Sequence, residues 1–138
     1  MVADYAPLAE ERATDLGLVA EGSIAVAGDA AELKLLIGNL VDNAIRYTPR
    51  GGQVDVRIDT EAGNPLLQVV DNGPGIPPWE RALVFGRFYR RPSNEASGSG
   101  IGLAIVEAVA KRCGAKVELR EHPGGGLCAR VAFRMAPR

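Results

Sequence analysis

The sequence predicts a two-layer α/β domain, a mixed sheet with helices packed on one face. Three observations carry this. Residues 29–49 and 100–115 place apolar side chains at helical spacing. Shorter segments either alternate with period two or are uniformly apolar over strand length. The last two strand segments flank "PGGG" and read as an antiparallel hairpin, after helices and strands in mixed order. Elements with one apolar side each bury it most simply as two layers.

In chain order, residues Ala6–Ala13 read as a short helix, followed by strand-like pieces at Leu16–Ala20 and Ile24–Ala27. "GDAAELKLLIGNLVDNAIRYTP" is the clearest helix. Asp29 is a good N-cap, Glu32 stands three residues on, and Pro49 stops the run. Leu33, Leu36, Ile37, Leu40, Val41 and Ala44 form its buried stripe. "QVDVRID" alternates, whereas "PLLQVVD" is apolar throughout, as a central strand would be. "DNGPGIP" is a turn cluster, and "PPWERALVFGRFY" a short helix running into an aromatic turn. "RRPSNEASGSG" has almost no apolar content and reads as a mobile loop. "GIGLAIVEAVAKRCGA" is the second strong helix, ended by Gly114; "KVELREH" and "LCARVAFRM" are the closing strands. With no repeat and no composition break, residues 1–138 read as one domain.

Bulk properties narrow the function. A net charge of -1 predicts no nucleic-acid partner. No apolar run reaches bilayer length, so no membrane contact by the domain itself is expected. Two distant cysteines and one histidine make no zinc spacing, and a reduced, cytoplasmic domain is the expectation.

Three segments carry chemistry. In "NLVDNAIRYTP", Asn39 and Asn43 share a helical face that Arg46 and Tyr47 continue. Amide oxygens suit Mg²⁺, which also takes phosphate oxygens; an arginine fits phosphate and an aromatic ring fits a base. Two ordinary exposed asparagines would give the same letters. In "VVDNGPGIP", Asp71 ends an apolar strand where a carboxylate can accept from an exocyclic amine, choosing adenine over guanine; a plain Asp-Asn-Gly turn is the simpler alternative. In "GSGIGLAIV", Gly98, Gly100 and Gly102 precede a helix whose free N–H groups favour anions. No strand precedes it, so it is no Rossmann fingerprint, and no GK[ST] occurs to make a P-loop.

Taken in order, these segments resemble the ATP-binding catalytic domain of sensor histidine kinases, within the superfamily shared with DNA gyrase, MutL and heat-shock chaperone ATPases. "NLVDNAIRYTP" resembles the N box, "DNGPGIP" the G1 box, "VFGRFYR" the F box and "GSGIGLAIV" the G2 box, over about Leu16 to Phe133. The resemblance implies a Bergerat-type sandwich holding Mg·ATP between the N-box helix and a flexible lid. It implies metal binding by Asn43 with Asn39, phosphate contacts by Arg46 and Arg90, and a nucleoside contact by Tyr47. Asp71 would take the adenine amine over Gly73, Gly75 and Ile76, and Phe88 would anchor the lid. Gly98, Gly100, Ile101, Gly102 and Leu103 would line the phosphates. Arg90 and Asn39 are the implied catalytic residues.

The acceptor histidine of such kinases lies on a helical-hairpin domain preceding this one. Residues 1–13 are accordingly read as the remnant of that connection, and the parent as an inner-membrane sensor that passes phosphate to a response regulator. His122 stands in a turn with no acid placed to deprotonate it, and is read as structural or surface. Arg87, Arg90 and Arg91 form a local basic cluster that serves as a solvated face, a phosphate contact or a docking patch. Trp79 reads as packing or docking. A hydrolytic relative places a glutamate four residues before the metal-binding asparagine. This chain has Asn39 there, and an amide takes no proton at neutral pH, which favours transfer to protein over hydrolysis. A serine-kinase or pure binding module fits less well with the F box and long lid.

Overall fold

The computed structural model describes residues 6–11, 13–20, 30–86 and 102–134. It contains α1 (Ala6–Glu11), β1 (Asp15–Ala20), α2 (Ala30–Tyr47), β2 (Gln53–Glu61) and β3 (Asn64–Asp71). After two 3₁₀ turns, Pro78–Glu80 and Leu83–Phe85, follow α3 (Gly102–Cys113), β4 (Lys116–Glu121) and β5 (Leu127–Ala132). The strand piece expected at Ile24–Ala27, the Asp29 cap and the loop after Arg90 lie outside the described residues.

The sheet has the order β1-β2-β3-β5-β4, with β1 parallel to β2 and every other pair antiparallel. Both the mixed character and the closing hairpin match the sequence reading. β3 is the central strand, and its uniform apolarity has a two-sided cause. Leu67 and Val69 face α2 and α3 within the main core. Leu66 and Val70, on the other face, are also buried, outside the cluster that packs against the described helices. By register that face also carries long charged side chains, with Arg57 paired to Asp55, Arg120 to Glu118, and Arg130 to Glu61. Long polar side chains lay their stems over apolar surface and keep their heads in water.

The core between sheet and helices includes Leu36, Val41, Ile45, Val54, Val56, Val106, Val109 and Val131, all 0–1% exposed. α2 and α3 pack together. Arg112 near the end of α3 donates to Glu32 in the first turn of α2 (2.6 Å), while the first residue of α3, Gly102, lies beside Asn39. The two helices therefore run roughly antiparallel, and the start of α3 meets the middle of α2. The short helix expected after Ile76 takes the form of two 3₁₀ turns, and the aromatic turn expected beyond Gly86 lies outside the described residues. Pro77 and Pro78 bring no N–H donors, and Arg81 Nε reaches back to the Ile76 carbonyl (2.9 Å), which favours tight turns over a continued helix.

Candidate nucleotide site

Asp71 is the last residue of β3 and shares the side-chain parity of Leu67 and Val69, so it points to the helix side of the sheet. It is 8% exposed. Its Oδ1 accepts two backbone N–H groups, from Gly73 (2.9 Å) and from Leu127 (3.2 Å). The described residues place no hydrogen bond on Oδ2. Burial pushes the carboxyl above the usual carboxylate range, while the Gly73 and Leu127 N–H groups and the charge of His122 pull the other way. The site thus holds one oriented carboxylate with an oxygen left to accept.

The strand-end turn is pressed against the end of α2. A Cβ built at Gly73 would stand 3.4 Å from both the Tyr47 carbonyl oxygen and the Thr48 Cα. Gly75 has φ +74, a left-handed conformation that costs glycine little. Asn72 Oδ1 accepts the Gln53 N–H (2.8 Å) and pins the turn to β2. Ile76 is a buried member of the core cluster, and Leu103 is half-buried against that cluster.

On α2, Asn39 Nδ2 donates to the Leu35 carbonyl (2.7 Å). A Cβ built at Gly102 would sit 3.3 Å from Asn39 Oδ1. The first turn of α3, where N–H groups lack helical partners, therefore stands next to the Asn39 amide. Asn43 is half-buried, and its side-chain amide makes no hydrogen bond among the described residues. Arg46 Nε pairs with both oxygens of Asp42 (3.1 and 3.0 Å), a partner that sequence spacing allows but that the sequence reading did not assign.

The structure thus gathers Asn39, Asn43, Tyr47, Asp71, Gly73, Gly75 and Gly102 along one junction of α2, the end of β3 and the start of α3. Phe88, Arg90, Gly98, Gly100 and Ile101, with the Arg87–Arg91 cluster, lie outside the described residues. Trp79 is 67% exposed and is not packed into the core formed by the described residues. Three features escaped the sequence reading: Asp42 as the partner of Arg46, the buried Glu80, and the contact of Leu127 with Asp71. Only the i, i+4 spacing of Asp42 and Arg46 carried a local signal.

As to a divalent cation, no cluster of three or more His, Cys, Asp or Glu ligands occurs among the described residues. The donors present are neutral amide oxygens, which fit Mg²⁺ that keeps waters and shares phosphate oxygens rather than a closed protein cage.

Residues 28–137 match the family described as histidine kinase-, DNA gyrase B- and HSP90-like ATPases. The sensor protein QseC of Escherichia coli (strain K12) is 44% identical over 111 residues, covering 80% of this chain and 24% of that protein. The chain thus spans about a quarter of the length of the curated relatives it matches. Among solved structures, the mycobacterial sensor histidine kinase MprB is 32% identical with TM-score 0.80, covering 96% of this chain and 91% of that one. Full-length ShkA, solved in complex with AMPPNP, is 25% identical with TM-score 0.83, covering 99% of this chain and 29% of that one. With its motifs, its sheet order and these likenesses in agreement, the chain belongs to the histidine kinase-, DNA gyrase B- and HSP90-like ATPase family, in the form found as the catalytic domain of sensor histidine kinases.

Proposed function

We propose that this domain binds Mg·ATP at the junction of α2, the end of β3 and the start of α3. It would then present the γ-phosphate to a histidine on a separate helical-hairpin domain. The observation that carries the reading is Asp71: a buried carboxylate with Oδ1 held by two backbone donors and Oδ2 free to accept the adenine amine. Guanine offers a carbonyl at that position and would meet a carboxylate with nothing to donate.

In this reading Asn43 and Asn39 hold the cation, which when bound neutralises charge on the phosphates and orients them. Arg46, kept in place by Asp42, lends positive charge to the same face, and Tyr47 flanks the nucleoside. Gly73, Gly75 and Ile76 shape the base wall, while Gly98, Gly100, Ile101, Gly102 and Leu103 form the phosphate wall with its helix N-terminus. Phe88 anchors a covering lid, and Arg90 meets the γ-phosphate. Transfer joins the histidine nitrogen to the γ-phosphorus as its bond to the β-phosphate oxygen breaks, and ADP leaves. Positioning and charge stabilisation supply most of that catalysis. Trp79 and Leu83, 67% and 49% exposed on adjoining turns, offer an apolar contact to the hairpin domain.

The named relatives are sensor kinases, so the parent system is read as two-component signalling: an inner-membrane sensor, this domain in the cytoplasm, and a response regulator as the final acceptor. No described helix is long and apolar enough to cross a membrane. Calorimetric titration with ATP and GTP, each with and without Mg²⁺, tests the binding step. ATP should bind more tightly than GTP and depend on Mg²⁺; equal affinity for both nucleotides would contradict the adenine assignment.

A further inference from the structure

Resting on this nucleotide reading, we infer that the turn between β4 and β5 is the positioning element of the base site, with Gly126 and the Leu127 N–H aligning the Asp71 carboxylate. Sequence pattern gave this turn no role beyond joining two strands. Yet Leu127 N–H reaches Asp71 Oδ1 (3.2 Å) from a position 56 residues away. With the Gly73 N–H on the same oxygen, it fixes the plane of the carboxylate and leaves Oδ2 to accept. Both bonds also favour the ionised form that an amine-accepting group needs, against the desolvation of its buried position.

The backbone path that delivers this N–H is unusual. Gly124, Gly125 and Gly126 all have positive φ, at 94, 108 and 100°. The turn is closed by Gly125 N–H to the His122 carbonyl (2.9 Å) and His122 N–H to the Gly126 carbonyl (3.1 Å). The three glycines differ in their surroundings. A Cβ built at Gly124 or Gly125 meets nothing within 4 Å, so only backbone conformation calls for glycine there. A Cβ at Gly126 would overlap the Asp71 carbonyl oxygen and lie 2.8 Å from the Asp71 carbonyl carbon. On its other side the Gly126 carbonyl oxygen would stand 3.2 Å from a Cβ at Gly75. Gly126 is therefore wedged against both ends of the Asp71–Gly75 turn, and any side chain there moves the acid that reads the base.

The matched pair Gly126→Ala and Gly124→Ala separates positioning from strain, because both place alanine at positive φ but only the first touches Asp71. Melting temperature and calorimetric affinities for ADP and GDP are measured for both variants and the native chain. Gly126→Ala should cut the preference for ADP over GDP by about tenfold or more, the loss expected when a charge-assisted hydrogen bond is misaligned. Gly124→Ala should keep the native preference despite its own loss of stability. An unchanged preference in Gly126→Ala, or equal losses in both variants, overturns the inference. If Gly126→Ala does not fold, a backbone ester at Leu127 removes the N–H without adding volume. It should lower the preference and raise the titration midpoint of the Asp71 carboxyl, and an unaltered preference again overturns the inference. A native chain with no preference for ADP sinks the nucleotide reading itself, whereas a native preference that survives at Gly126 sinks only the positioning role.

Discussion

Replacing Asp71 with asparagine should separate binding from stability. The two backbone bonds to Oδ1, from Gly73 and Leu127, are both accepted by an oxygen that asparagine also carries, so the local scaffold survives. What changes is Oδ2, which becomes an NH₂ donor facing the donor amine of adenine. Loss of a charge-assisted bond with a mispaired amide should weaken ATP by about 1–3 kcal/mol, or roughly 5- to 150-fold in Kd. Stability should not fall, because the variant removes a carboxylate whose ionised form is disfavoured by burial. The same NH₂ can donate to the guanine carbonyl, so GTP should gain relative to ATP. Calorimetry with both nucleotides and a denaturant melt read these outcomes together. An Asp71→Asn chain that loses stability but keeps the native ATP-to-GTP ratio would refute the reasoning and leave Asp71 as a structural residue.

Asp71 holds its proton more tightly in the folded chain than in the unfolded one, so its ionisation removes stability as pH rises through the raised folded value, and acidification restores it. Binding needs the ionised form and so should weaken as acidification passes the raised Asp71 value; Asp71→Asn should lack that step, and parallel wild-type and variant pH profiles would contradict this. Cys113 and Cys128 are both buried, and burial pushes the Cys128 thiol up, although Arg130, Arg57 and Arg120 pull it down. A chromogenic disulfide should react with neither thiol at neutral pH until denaturant exposes them, and rapid labelling of the folded chain would count against the packing. The native chain should release phosphate from ATP very slowly. Asn39→Glu should raise hydrolysis by up to about 10²–10⁴-fold if an attacking water is placed, less any repulsion of phosphate by the new carboxylate, and a brisk native rate unaffected by the change would contradict this.

Much of the fold was legible because each signal was local. Pro49 ends the α2 pattern, and α2 stops at Tyr47. The unbroken apolar run of β3 marks the middle strand of the five. The short helix expected after Ile76 was less legible, because the prolines and the tie from Arg81 to Ile76 favour two 3₁₀ turns. The acid at the end of β3 was legible too, since it ends an apolar run just before glycines. Its support was not. The Leu127 N–H belongs to a strand that reaches Asp71 only through the β3–β5 pairing, and no sequence period encodes that contact. The same holds for Gly102 beside Asn39, which depends on how α3 crosses α2.

The most direct test of the central claim is where the γ-phosphate goes. The native chain is incubated with Mg²⁺ and γ-labelled ATP, alone, with a helical-hairpin domain bearing the acceptor histidine, and with the same domain carrying serine in its place. Free phosphate and acid-labile protein label are then measured. Label should appear only on the histidine-bearing hairpin, with little free phosphate and none of the label on His122. Rapid phosphate release without transfer, label on the serine form, or label on the chain itself that His122→Ala abolishes would contradict the account.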